Sequence, residues 1–283
     1  MVWPHRIPFV RPGVGRPGIR AASAFWWWAG SLPLALFLSS PLLIMALYLL
    51  RESPWPAAAS DLVRQALVLT AKTSAGSTLL AIGAGTPLAY LLARRRFPGK
   101  AFLEGLVELP VVIPPTAAGV LLLLTFGRRG ALGPLLEGMG ITLPFTPAGV
   151  VVAQLFISAP FYIRGARLGF MMVPRELEEA AAVDGASALQ ILRHVTLPLA
   201  FPGLFSGLLL CWARAVGEFG ATYLFAGNMP GRTQTMPLAI LTAMERDLGA
   251  ALLLTGMLTL FAFVILLGAW LLLGSREDIP PVL

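Results

Sequence analysis

Residues 176–198 read ELEEAAAVDGASALQILRHVTLP and form the one long amphiphilic island in a very apolar chain. The island carries four of the fourteen acidic residues and lies between two hydrophobic runs. Its local signals predict two short helices joined by a bend. Pro174 suits a first helical position, and Glu176, Glu178 and Glu179 put negative charge in the first turn, where the helix dipole favours it. Gly185 ends that helix, as a residue free to take the left-handed conformation. Ser187, with Gln190 three residues on, makes a capping box that opens a second helix through Leu189, Leu192 and Val195. Pro198 is expected to stop it at the edge of the next apolar run.

The surroundings of this island place it in a bilayer. Of 283 residues, 57% are hydrophobic and 12% charged, with a mean hydropathy of +0.79. A soluble domain has about 25% charged residues, so one polytopic, all-α membrane domain is the natural class. Cys211 is the only cysteine and lies in an apolar run, so no intramolecular disulfide is possible. A hydrocarbon core of about 30 Å needs about twenty apolar residues per helix. Six runs meet that requirement, at about 24–50, 65–93, 101–126, 147–171, 199–225 and 248–273. The first, with Trp26, Trp27 and Trp28 at an interface, is too long for a signal-peptide core and has no cleavage site after it. Pro110, Pro114 and Pro115 predict a break or bend near the middle of the third. The expected organisation is a basic N-terminal segment (1–23), a six-span domain (24–273) holding the loop 172–198, and a tail (274–283). No internal repeat and no soluble domain is visible.

Six spans put both termini on one side, and the basic residues then test the orientation. Thirteen of the twenty-one fall on the side of the termini and of the 172–198 loop, and six on the other. Lys72 and Arg214 complete the set, within spans. The positive-inside bias puts the termini and the loop in the cytoplasm. The basic excess therefore belongs to membrane topology, and no nucleic-acid partner is implied.

Glu179-Ala180-Ala181, three residues, Gly185, nine residues, Val195, one residue and Leu197-Pro198 together resemble the EAA loop of ABC importer permeases. The resemblance implies a cytoplasmic loop that docks a short helix into a groove on an ATPase subunit. Glu179 and Asp184 are then candidates for charge contacts, and Ala180 and Ala181 allow close approach. The plainer reading is an ordinary amphipathic loop between membrane helices.

No phosphate-binding loop occurs, since Gly99-Lys100 is followed by Ala101 and no glycine stands five residues before Gly99. His5 and His194 are the only histidines and lie far apart, so no metal-ligand or acid–base set forms and no cofactor is called for. Ala213 to Thr222 (ARAVGEFGAT) and Phe225 to Leu238 (FAGNMPGRTQTMPL) resemble the molybdate permease subfamily. Gly85 to Tyr90, Phe97 to Lys100, Leu109-Pro110 and Pro114-Pro115 fit the same group. Sulfate, thiosulfate and tungstate permeases are the alternative within the class. The resemblance implies a homodimer of six-span subunits, two ATPase subunits, an extracytoplasmic oxyanion-binding protein, and a prokaryotic inner membrane. A self-sufficient secondary transporter would show inverted repeats with paired broken helices, and none is visible.

Arg214 and Glu218 stand four apart and are expected on one helix face inside the membrane. A lone charge there costs roughly 2.5–3.5 kcal/mol, so such groups pair or face the interior. Two readings stay open: the pair, with Thr222, lines or gates an anion pathway, or it pins the fifth helix to its neighbours. Lys72 is expected to snorkel from the outer end of its span. Ser206, Ala213, Gly217 and Gly220 predict a close-packed side of the fifth helix.

Overall fold

Inside hydrocarbon a backbone amide finds no water, so a spanning segment must satisfy its hydrogen bonds within itself. The computed structural model describes residues 17–52 and 61–274, and all regular structure among them is helical. The expected irregular N-terminus before residue 17, the connection 53–60 and the tail from 275 lie outside the described residues. Helix α1 (Pro17–Glu52) is a unit of its own and contains the apolar span Trp26–Arg51. It begins at Pro17, inside the stretch expected to be irregular, with proline at its first position.

The second unit holds the remaining helices. They are α2 (Asp61–Arg94), α3 (Lys100–Val112), α4 (Pro115–Phe126), α5 (Gly133–Gly138) and α6 (Pro147–Met172). After them come α7 (Arg175–Val183), α8 (Ala188–Ile191), α9 (Leu197–Val216), α10 (Gly220–Ala226), α11 (Met236–Met244) and α12 (Leu248–Gly274). Among the described residues, five helical stretches are long and apolar enough to cross a membrane, and six if α3 and α4 count as one span. Those two are bent by 118° at Ile113-Pro114, where the proline run forbids a continuous ladder.

The core is the packing of α2, α6 and α9. On α2 the buried stripe runs Val63, Ala66, Thr70, Ser74, Ser77, Ala81, Gly85, Ala89 and Leu92, a helical period of small side chains. Its hydroxyls are satisfied locally: Thr70 Oγ1 donates to the Ala66 carbonyl at 2.8 Å and Ser77 Oγ to the Ser74 carbonyl at 3.0 Å. Helices α6 and α9 approach through glycines, Gly165 and Gly169 meeting Gly203 and Gly207. A Cβ on Gly169 would stand 2.7 Å from the Ala200 carbonyl oxygen, and one on Gly207 would stand 2.8 Å from that of Tyr162. Where lipid removes the hydrophobic drive between helices, such backbone contact supplies the packing. The close-packed side is thus not the expected one. Ser206 and Gly217 are exposed, and of the expected set Gly220 is tightly packed, against Pro115 and Thr116.

Pro198 does not stop the second loop helix. Residues 192–196 form a wide π turn, closed by the Leu197 amide on the Leu192 carbonyl, and α8 runs through it into α9. The wider ring carries the chain past a proline that donates nothing and crowds the preceding turn. The fifth span, expected from 199 to 225, instead breaks at residues 217–219.

Candidate coupling and translocation sites

The loop between α6 and α9 has the expected bend. Pro174 is the extended residue before α7, which starts at Arg175, one residue later than expected. Gly185 has φ +87, and a Cβ there would meet no other group within 4 Å, so the demand on this residue is purely conformational. Ser187 and Gln190 form the capping box: Ser187 N donates to Gln190 Oε1 at 2.8 Å and Gln190 N to Ser187 Oγ at 3.4 Å. Glu179, Ala180, Asp184 and Pro198 are exposed, and Ala181 and Leu197 half-buried. Leu177, Val183 and Leu189 stand out with them, Val183 being 88% exposed. The face combines free carboxylates, small side chains and unburied aliphatic groups, which suits a protein partner.

The anchoring charge in this loop is Glu178, which the sequence marked only as one of three first-turn acids of the helix. Its Oε1 accepts from Arg94 Nη2 at 3.1 Å and from Thr196 Oγ1 at 2.7 Å, while the same Arg94 nitrogen donates to the Val173 carbonyl at 3.0 Å. Three segments are tied at one carboxylate: the end of α2, helix α7 and the π turn before α9. Beside it, Arg167 pairs with Glu104 at 2.8 Å and Arg164 with Glu108, joining α6 to α3. Glu104 and Glu108 stood in the sequence as two acids four apart at the head of an apolar run, and that spacing was the available signal.

Arg214 and Glu218 do meet, with Nη1 to Oε2 at 2.6 Å, but not on one helix face. Helix α9 ends at Val216, and Gly217 carries the chain out of it. Glu218 lies in the break, where its Oε1 accepts the Ala221 amide at 2.8 Å in the first turn of α10. Its side chain is fully buried, whereas that of Arg214 is 28% exposed. The carboxylate thus does two jobs, neutralising a cation and satisfying an amide that the break leaves free. Thr222 is completely buried in α10, with no partner for its hydroxyl among the described residues. Gln154 of α6 reaches the same junction, donating Nε2 to the Ala215 carbonyl at 3.0 Å. A lone glutamine in an apolar run was its only mark in the sequence. Phe219 and Tyr223 stack at 6.0 Å and present partly exposed rings beside the pair.

The stretch after α10, from Gly227 to Thr235, is a hydrogen-bonded plug. Gln234 Nε2 donates to Asn228 Oδ1 at 2.9 Å, and Asn228 Nδ2 donates to Thr242 Oγ1 at 2.9 Å. The Met236 amide donates to Thr70 Oγ1 of α2 at 2.8 Å. Polar side chains buried in this way hold an irregular segment where bare backbone would be left unsatisfied.

Residues 85–275 match the binding-protein-dependent transport system inner membrane component family. The chain belongs to that family. Among relatives of this inner membrane component is the molybdenum transport system permease protein ModB of Escherichia coli (strain K12), 40% identical over 217 residues, 75% of this chain and 95% of that protein. ModB of Mycobacterium tuberculosis (strain ATCC 25618 / H37Rv) is 37% identical over 254 residues, 90% of this chain and 95% of that one. The fold matches a bacterial ABC transporter involved in the import of the polysaccharide alginate, with TM-score 0.72 and 16% identity, covering 92% of this chain and 99% of that chain. The inner membrane component is a multi-pass membrane protein, and its match to the family begins at Gly85 in α2 and runs through the loop, the break and the plug.

Proposed function

We propose that this chain is the permease subunit of an ATP-driven importer for a tetrahedral oxyanion, molybdate before tungstate or sulfate. The observation that carries the reading is 37–40% identity to molybdenum permeases over most of the chain. Two copies would enclose the pathway in the inner membrane, with both termini and the α7–α8 loop in the cytoplasm. Two ATPase subunits would grip that loop through Glu179, Ala180, Ala181 and Asp184, with Gly185 setting the bend and Leu197-Pro198 opening α9. An extracytoplasmic binding protein would deliver the anion to the opposite face. In the pathway Arg214, Glu218 and Thr222 at the α9–α10 break would meet or gate the anion. ATP hydrolysis belongs to the separate ATPase, and the chain itself is not an enzyme.

Reconstitution with its ATPase and each candidate binding protein tests the assignment. Molybdate with its binding protein is expected to stimulate hydrolysis and uptake, while the chain alone does neither. Stimulation by sulfate and its binding protein, with none by molybdate, would reassign the substrate, and turnover by the lone chain would end the reading.

A further inference from the structure

Away from the loop and the break, α2 carries a cationic cleft. Arg64, Gln65, Val68, Leu69, Lys72 and Gly231 line an open cavity of about 380 Å³. Arg64, Val68 and Lys72 lie at successive four-residue steps of one helix face, so two cations flank an aliphatic floor. The far wall is the plug, where Gly231 sits so close that a Cβ would stand 2.8 Å from Gln65 Oε1. Lys72 has no acidic partner among the described residues. Arg64 has Asp61 at 3.5 Å, with side chains 77% and 82% exposed, a pair that solvent screens to almost nothing.

The depth of this cleft says what it meets. Helix α2 has 34 residues, about 51 Å at about 1.5 Å per residue, against a hydrocarbon core of about 30 Å. Arg94, bonded to the loop, marks one boundary. Roughly twenty residues back from it the other boundary falls near Ser74. Lys72 then lies at headgroup depth with Arg64 two turns outside it, and the count holds for either orientation of the chain. An amphiphilic cleft at that level offers a phosphate two donors and an acyl chain an aliphatic floor.

We propose that this cleft binds the phosphate of an anionic phospholipid, held by Lys72 and Arg64 with Gln65 as a further polar contact. The test uses the permease with its ATPase subunits in nanodiscs of phosphatidylcholine, with or without phosphatidylglycerol. Phosphatidylglycerol is expected to raise the thermal midpoint of the wild type, as a ligand of the folded state does. Arg64→Gln with Lys72→Gln, both on an exposed face, is expected to fold normally and to lose that rise. Inorganic phosphate added to phosphatidylcholine discs is expected to change nothing. A rise that survives in the double variant, or none in the wild type, overturns the site. A rise from inorganic phosphate alone overturns the lipid assignment in favour of a free-oxyanion site.

Discussion

A carboxylate with no exposure to solvent depends on its partners, and Glu218 has two of unlike kind: the Arg214 guanidinium and the Ala221 amide. The two halves of the pair are therefore not equivalent. Removing Arg214 strands a buried charge, at a cost of about 3–5 kcal/mol. Glu218→Gln keeps an acceptor for Ala221, and leaves behind a guanidinium already 28% exposed that can turn towards water. Arg214→Met is thus expected to lower the thermal midpoint more than Glu218→Gln, and the double variant to recover most of the loss. Uptake then separates gate from staple. If Arg214 meets the anion, the refolded double variant transports poorly while basal hydrolysis persists, since the docking loop is untouched. Wild-type uptake by a stable double variant would leave the pair purely structural. We expect the former, because Arg214 stands at the break between α9 and α10 and a dry pathway for a divalent anion needs positive potential.

At the scale of elements, the bend between α7 and α8 is the sharpest case. Gly185 at φ +87 has empty space around it, so Gly185→Val meets no clash and is opposed only by the left-handed conformation, at about 1 kcal/mol or more. The variant is expected to insert normally and to co-purify less ATPase, and full co-purification with full transport would sink the hinge. This bend was legible because its signals are local: a capping box and a glycine speak within one turn. The elbow at 113–114 was legible for the same reason, from its prolines. The π turn over Pro198 was not, because whether a proline ends a helix or is bridged depends on what α9 packs against. The break at Gly217 escaped too, since Gly217 and Gly220 are residues that membrane helices also use for close packing, and glycine alone does not tell a packed helix from a broken one. The Gln154–Ala215 hydrogen bond, made across the fold, and the local Ala221–Glu218 one show what sustains the open turn. The close-packed glycines did leave a trace, as GARLG at 165–169 and GLFSG at 203–207, both small-xxx-small.

Across the whole molecule, an importer works only if what happens at the docking loop reaches the bundle. The exposed face of α7 and its C-cap carry Glu179, Ala180 and Asp184, whose side chains make no inward hydrogen bond or ion pair among the described residues. The connection runs instead through Glu178, whose carboxylate joins α7 to Arg94 at the end of α2 and to Thr196 in the turn that becomes α9. Helices α2 and α9 are two of the three core elements, and α9 ends at the break holding Arg214 and Glu218. With Arg94 9% exposed and Glu178 20%, the tie is shielded from solvent, and charge-assisted hydrogen bonds of this kind contribute about 1.5–3 kcal/mol. Glu178→Ala removes it without altering Glu179, Ala180, Ala181 or Gly185. The ATPase is therefore expected to bind as before and to hydrolyse ATP at its basal rate. The number of anions imported per ATP should fall by roughly tenfold, the factor that about 1.4 kcal/mol of lost coupling represents. Glu178→Gln, which keeps an acceptor for Thr196 but not the ion pair, should fall between. An unchanged ratio of transport to hydrolysis in Glu178→Ala would show that the stroke passes by another route, with the α3–α6 ion pairs the next to remove.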